Sequence, residues 1–185
     1  VALQAAGEAV RAIGIRAQLR ETVFWRIDET LGALGVSQID GVLFDLGASS
    51  RQIDDPARGF SYLKDGPLDM RMGAGCRTAS DIINAAGYDD LLRIFRDYGE
   101  ERRSSAIGRA ICLRRGQEPI RGTADLVKII RSVIPPDQSQ KTLARIFQAI
   151  RIELNEELSH LSEALEQAVN HLKSGARIGV ISYHS

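Results

Sequence analysis

Ile39-Asp40-Gly41-Val42-Leu43-Phe44-Asp45-Leu46 is an almost unbroken apolar run of strand length, and it limits the possible folds more than any other part of the sequence. A strand this apolar suits a parallel sheet covered on both faces. Parallel neighbours need a crossover, and the residues that follow supply one. From Gly47 to Gly75 the chain is rich in Gly, Pro, Asp and Ser, which is turn chemistry. Asp89 to Tyr98, Glu101 to Arg114 and Ala124 to Val133 then read as three helices, with Pro135-Pro136 as a hard stop. From Thr142 to Leu172, apolar residues at Phe147, Ile150, Leu154, Leu158, Leu161, Leu165, Ala168 and Leu172 step by three and four, which predicts one long helix closed by Gly175. Arg177 to Ser182 resumes as a strand. The order strand, loop, helical insert, helix, strand predicts an α/β fold, with the insert leaving the sheet where such sheets place their ligands. Ahead of this, Val1 to Leu3 reads as the tail of a strand, Glu8 to Ile13 as a helix closed by Gly14, and Asp28 to Leu34 as a short helix ended by Gly35.

The 185 residues, 44% hydrophobic and 26% charged, suit one globular domain or one domain with a sizeable insertion. Twenty-four Lys and Arg balance 24 Asp and Glu, so any case for a nucleic-acid partner rests on local clusters. Between Arg93 and Arg131 ten basic residues face five acidic ones, whereas Glu153 to Glu166 holds five Glu and no Lys or Arg. Cys76 and Cys112 lack the C-x-x-C spacing of zinc or dithiol chemistry and fit a reducing compartment. No run approaches the roughly 18 apolar residues of a membrane span, and no basic-then-apolar leader opens the chain, so a soluble intracellular protein is expected. The opening Val and the close just after an apolar run lead us to expect a piece of a longer chain.

Asp45, at the end of its strand, reads either as a turn-capping residue or as a ligand contact beside the small residues Gly47-Ala48-Ser49-Ser50. Arg58 to Met72 combines turn formers with aromatic, acidic and basic groups and does not look like packing. It reads as a surface Ω-loop, or as a lid whose aromatics stack a base while Arg58 or Arg71 holds a phosphate. His160 and His171 read as surface residues of the long helix, and Asn155 as either surface or cleft-facing. Tyr183 reads as a base-stacking or a core aromatic.

Five segments together resemble the RsmH (MraW) family of S-adenosylmethionine-dependent methyltransferases in order and spacing: Asp40-Gly41-Val42-Leu43-Phe44-Asp45-Leu46-Gly47-Ala48-Ser49-Ser50, Asp65-Gly66-Pro67-Leu68-Asp69-Met70-Arg71-Met72, Tyr98-Gly99-Glu100-Glu101-Arg102, Phe147-Gln148-Ala149-Ile150-Arg151-Ile152 and Val180-Ile181-Ser182-Tyr183-His184-Ser185. The octet from Asp65 is the most specific. The resemblance implies a Rossmann-like sheet made by residues 1–53 and 140–185, with 54–139 an inserted helical domain that helps recognise ribosomal RNA. It implies methyl transfer to the exocyclic N4 of a cytidine in small-subunit ribosomal RNA, with S-adenosyl-L-methionine as cofactor. The free RNA or the assembled small subunit would be the partner, in a bacterial cytoplasm or an organelle, and a homodimer is left open. Asp45, Gln52, Phe24 and Gln4 fall at cofactor positions. Asp69, Ser182, Tyr183 and His184 are the catalytic candidates, and Arg58, Arg71, Arg102 and Arg109 the RNA contacts; no metal is implied. The chain departs from the family at Gln4, where an acidic residue at the end of a strand would hold the ribose hydroxyls, and at Arg103 and Ile146. The family's Gly-Gly-His loop would precede Val1 and its Leu-Glu-Asp-Arg run would follow Ser185. The alternatives are a non-catalytic fragment or pseudoenzyme with an RNA-binding or structural role, or another nucleotide-cofactor enzyme such as a dehydrogenase, for which no Gly-x-Gly-x-x-Gly loop is present.

Overall fold

A computed structural model of the chain describes residues 2–73 and 75–182. In chain order its elements are α1 (Ala2–Ala12), α2 (Ile27–Ala33), β1 (Ile39–Asp45), α3 (Ser50–Asp54), α4 (Ala79–Ala85), α5 (Tyr88–Asp97), α6 (Ser104–Arg115), α7 (Thr123–Ser132), α8 (Ser139–Asn155), α9 (Glu157–His171) and β2 (Leu172–Ile181). Two compact units emerge from the packing: Val1–Asp45 with Ser159–Ser185, and Leu46–Leu158. Among the described residues no helix is long and apolar enough to cross a membrane.

In the first unit, Ala2 and Leu3 belong to a helix and not to the end of a strand. The run Ala2-Leu3-Gln4-Ala5-Ala6 is made of strong helix formers, and that preference prevails over its apolar start. Val1 lies outside the described residues. α2 carries Asp28 and Glu29 in its first turn, where the helix dipole favours them. It closes with the Val36 amide donating to the Leu31 carbonyl at 3.0 Å around Gly35, whose φ of +68° suits glycine best. β1 and β2 run parallel, with Val42 opposite Ile178, Phe44 opposite Val180 and Asp45 opposite Ile181. Ile39 pairs with Leu172 but Gly41 already pairs with Arg177, so β2 bulges between them, and Gly175 at φ +80° lies in the bulge. Gly175 therefore does not end a helix; α9 stops at His171 and leads straight into β2. The two-sided cover expected of β1 is not found among the described residues. Phe44 is buried but Leu43 is 66% exposed, because β1 has one neighbouring strand there and Gly179 opposite Leu43 has no side chain to cover it.

The second unit is helical. α5 packs on α6 and α8, α6 on α7, and α4 on α8. Phe95, Ile107, Ile111, Leu126, Ile130, Leu143, Ile146 and Ile150 fill its core. α5, α6 and α7 lie within a few residues of their expected places. α4 was hidden because seven residues are too few to show a period. Its start is nonetheless marked by a reciprocal cap: the Thr78 hydroxyl accepts the Asp81 amide, and the Asp81 carboxylate accepts the Thr78 amide. The single long helix expected over 142–172 is two helices, broken at Glu156, which takes the left-handed conformation at φ +51°. The packing boundaries fall at 45/46 and 158/159, where the sequence suggested 53/54 and 139/140. α8 accounts for the difference, since Leu143, Ile146, Phe147 and Ile150 are core residues of the helical unit.

Candidate active site

The carboxyl ends of two parallel strands lie at one edge of a sheet. Asp45, the last residue of β1, is exposed opposite Ile181, and Ser182, the next residue along from β2, is exposed beside it. Two candidate residues far apart in sequence are thereby brought together. Tyr183 and His184 lie outside the described residues. Phe24 is half-buried, its ring edge-on to Trp25 (centroids 5.3 Å apart) and to Phe44 (5.9 Å). Alternate strand residues face opposite ways, so Phe24 lies on the side of β1 that Phe44 faces. Trp25 stacks flat on His160, with centroids 3.6 Å apart and planes 3° from parallel. Gln4 is exposed in the first turn of α1, donating to Glu8 at 3.4 Å, and not at a strand end as expected for a ribose contact.

His160 and His171 are therefore not plain surface residues; both are half-buried and engaged. His171 Nδ1 lies 3.1 Å from the Ser37 carbonyl oxygen and Nε2 lies 2.8 Å from the Asp28 carboxylate. Both partners are acceptors, so the doubly protonated ring satisfies both. The Ser37 carbonyl first, and then Asp28, raise the His171 pKa above its ordinary 6.5.

In the second unit, α3 begins with another reciprocal cap. The Ser49 hydroxyl accepts the Gln52 amide at 3.3 Å, while Gln52 Oε1 accepts the Ser49 amide at 2.9 Å and its hydroxyl at 3.0 Å. The cap thus occupies the Gln52 oxygen, which leaves the Nε2 end of the side chain for a ligand.

Arg58 to Met72 is neither a lid nor a loose Ω-loop. Phe60, Leu68 and Met70 are buried in the helical core. The backbone is tied on both sides: the Ser80 amide donates to the Leu68 carbonyl at 2.7 Å, the Ala79 amide to Asp69 at 2.9 Å, and the Thr123 amide to Gly66 at 2.9 Å. A Cβ on Gly59 or Gly66 would fall 2.0 Å from the carbonyl oxygen of Pro67 or Pro56 respectively, so both positions require glycine. Within this frame Asp69 accepts from Arg71 Nε at 2.9 Å and Nη2 at 2.6 Å. That side-chain pairing, reinforced by the Arg71 amide, holds the Asp69 carboxyl below its ordinary 3.8 despite its burial. A carboxylate stabilised in this way is a weak proton acceptor. Arg71 also donates to the Gly75 carbonyl at 2.7 Å, and Arg58 donates to the Arg71 carbonyl while lying over the Phe60 ring. Both arginines expected on phosphates thus make internal contacts.

Met70, between Asp69 and Arg71, is left-handed at φ +58°. Asn155 holds it there, donating from Nδ2 to the Met70 carbonyl at 2.9 Å and accepting the Met72 amide at Oδ1 at 2.8 Å. The sequence offered no signal for this role, because the partners are backbone groups more than 80 positions away. Arg93 pairs with both oxygens of Glu153 at 3.0 Å, and Arg115 donates to the Ile83 and Ala86 carbonyls at 2.7 and 2.6 Å. Arg102 and Arg109 are exposed.

A parallel strand pair with an exposed carboxylate at its carboxyl edge, in a chain that also builds a helical unit, makes this a protein of mixed helix and sheet. The model of the MraW methylase family matches residues 1–185, and the chain belongs to that family. It is 50% identical over 164 residues to the ribosomal RNA small subunit methyltransferase H of Caldicellulosiruptor saccharolyticus, covering 88% of this chain and 53% of that protein. The protein of the same name from Acidiphilium cryptum is 50% identical over 152 residues, covering 82% and 49%. That from Pseudarthrobacter chlorophenolicus is 44% identical over all of this chain and 57% of its own length. The chain spans about half the length of the curated relatives it matches.

Proposed function

We propose that this protein transfers a methyl group from S-adenosylmethionine to the exocyclic N4 of a cytidine in small-subunit ribosomal RNA, in a bacterial cytoplasm. In this reading the strands belong to a Rossmann-like sheet, residues 1–53 and 140–185 form the methyltransferase part although α8 within it packs into the helical core, and 54–139 form the insert that recognises RNA. The observation that carries it is the pairing of exposed Asp45 with Ile181, which sets the exposed Ser182 next along at the carboxyl edge of β1 and β2, in a chain of this family. An exposed strand-end carboxylate has the donor-accepting chemistry that a cofactor's hydroxyl and ammonium groups need. Asp45 would hold the cofactor, and the resemblance to the family makes Phe24 and Gln52 further cofactor positions. When bound, S-adenosylmethionine supplies a sulfonium methyl.

The lone pair of the cytosine amine is delocalised into its ring, so the task of the protein is in-line placement of that amine and acceptance of its proton. Asp69, locked on Arg71, positions the loop and is poorly suited to take the proton. That leaves Ser182, Tyr183 and His184 as the accepting cluster. A second reading, a non-catalytic relative that keeps an RNA-binding or structural role, draws support from Gln4, which stands exposed in a helix and lacks the charge of the family's acidic residue.

Isothermal titration with S-adenosylmethionine tests the assignment. Losing a hydrogen bond to a charged group costs about 1.5–3 kcal/mol, so Asp45→Ala should weaken binding roughly ten- to a hundredfold. Equal affinity in parent and variant would remove Asp45 from the site, and absence of binding by a folded parent would favour the second reading.

A further inference from the structure

Phe147-Gln148-Ala149-Ile150-Arg151-Ile152 lies in the second half of α8. Phe147, Ala149, Ile150 and Ile152 are buried in packing, which accounts for the apolar part of the segment but not for its arginine. The Arg151 side chain is only 17% exposed. Just past the left-handed Glu156, Glu157 grips one edge of its guanidinium, accepting Nε at 2.7 Å and Nη2 at 3.1 Å.

That grip leaves the far end of the guanidinium unused. Both N–H groups of Nη1 and the outer one of Nη2 meet no acceptor among the described residues. They point at Gly47, which closely follows Asp45 in the chain. A Cβ on Gly47 would lie 3.7 Å from Nη2 and 3.8 Å from Nη1 but 4.0 Å from Cζ, so the terminal nitrogens lead. Gly47 stands at φ +103°, a conformation that strains any residue with a side chain, so no side chain at this position fills the space in front of the fork.

We infer that Arg151 reads the target base, its Nη1 and Nη2 ends donating side by side to N3 and O2 of the cytosine whose amine receives the methyl group. This rests on the cytidine reading above and names a specificity-determining residue for it. The charge balance favours a base. Glu157 already offsets the guanidinium, so the pair suits neutral acceptors better than a phosphate or a carboxylate. The geometry favours cytosine, whose adjacent N3 and O2 acceptors match two parallel N–H groups. Adenine has a C–H where cytosine has O2, and uracil has an N–H where cytosine has the N3 lone pair; either would leave buried donors unpaired.

The test measures transfer from labelled S-adenosylmethionine to small ribosomal subunits that lack the modification, alongside S-adenosylmethionine affinity by isothermal titration. It compares the parent, Arg151→Lys and Glu153→Gln. Lysine keeps the charge opposite Glu157 but has a single nitrogen to serve both carboxylate and base. Glu153→Gln weakens the other two-oxygen pairing on α8, that with Arg93, and controls for a general loss of stability, which urea unfolding measures in each. Arg151→Lys should lower kcat/KM roughly ten- to a hundredfold while its S-adenosylmethionine affinity stays close to that of the parent. The control should match the parent in both. Weaker S-adenosylmethionine binding by the lysine variant would assign Arg151 to the cofactor, undiminished transfer would leave it a structural residue, and an equal loss of transfer in the control would trace the effect to stability; each overturns the inference. A parent that labels no cytidine would instead remove the reading on which the inference rests.

Discussion

Asn155 joins two segments that the sequence keeps far apart, and its amide is suited to the task because one end donates and the other accepts. Asn155→Ala would leave the Met70 carbonyl and the Met72 amide without their partner. Each unsatisfied buried group costs about 1–3 kcal/mol, so urea unfolding should show a loss at or above that range; a loss below about 0.5 kcal/mol would contradict this role. Gly66→Ala should be worse, because the clash at 2.0 Å is with backbone and cannot be relieved by rotating a side chain. We expect it to prevent a cooperative unfolding transition, read by near-ultraviolet circular dichroism. Asp69 adds an acid dependence. Its pKa is lower in the folded state, so its contribution is full above the ordinary 3.8 and disappears as pH falls through the depressed value. Asp69→Asn should therefore flatten the acid limb of the stability profile below pH 3.8. The Asp65–Met72 octet was conspicuous in the sequence, but its structural reason was not. Phe60, Leu68 and Met70 stand isolated among turn formers, so no period announces them as core residues.

At the level of elements, β1 and helices α5 to α7 were legible because each has a local signature: an apolar run for the strand, apolar periods ended by Gly or Pro for the helices. The break between α8 and α9 was not legible, since the apolar stripe runs through it and the left-handed Glu156 that makes it leaves no pattern in the sequence. Asp45 and Ser182 were readable as strand ends, and their adjacency follows from parallel pairing; Phe24 lying towards Phe44, and Gln52 committed to a cap, depended on tertiary contacts. His171 ties the end of α9 to the start of α2 and to the connection before β1. Its pKa is raised in the folded state, so its stabilisation is fully present below 6.5 and declines as pH rises through the raised value. Thermal unfolding from pH 5.5 to 8.5 should show Tm falling with pH in the parent. His171→Ala should flatten that fall, and an unchanged fall in the variant would assign it to another group.

Across the whole molecule, a net charge of zero conceals a division of labour among cations. Arg58, Arg71, Arg93, Arg115 and Arg151 hold the fold together through carboxylates, carbonyls and an aromatic ring. Arg102, Arg103 and Arg109 face solvent. The same separation applies to carboxylates: Asp69 and Glu101 are engaged internally, whereas Asp45 is exposed at a strand end. That contrast underlies the central claim, that Asp45 serves a methyl donor and that the acceptor is a cytidine amine. The most direct test incubates the protein with isotope-labelled S-adenosylmethionine and small ribosomal subunits that lack the modification, then identifies the labelled nucleoside by mass spectrometry. The account predicts label on the exocyclic nitrogen of cytidine with the parent and none with Asp45→Ala. Label on another nucleoside, or undiminished transfer by the Asp45 variant, would contradict it.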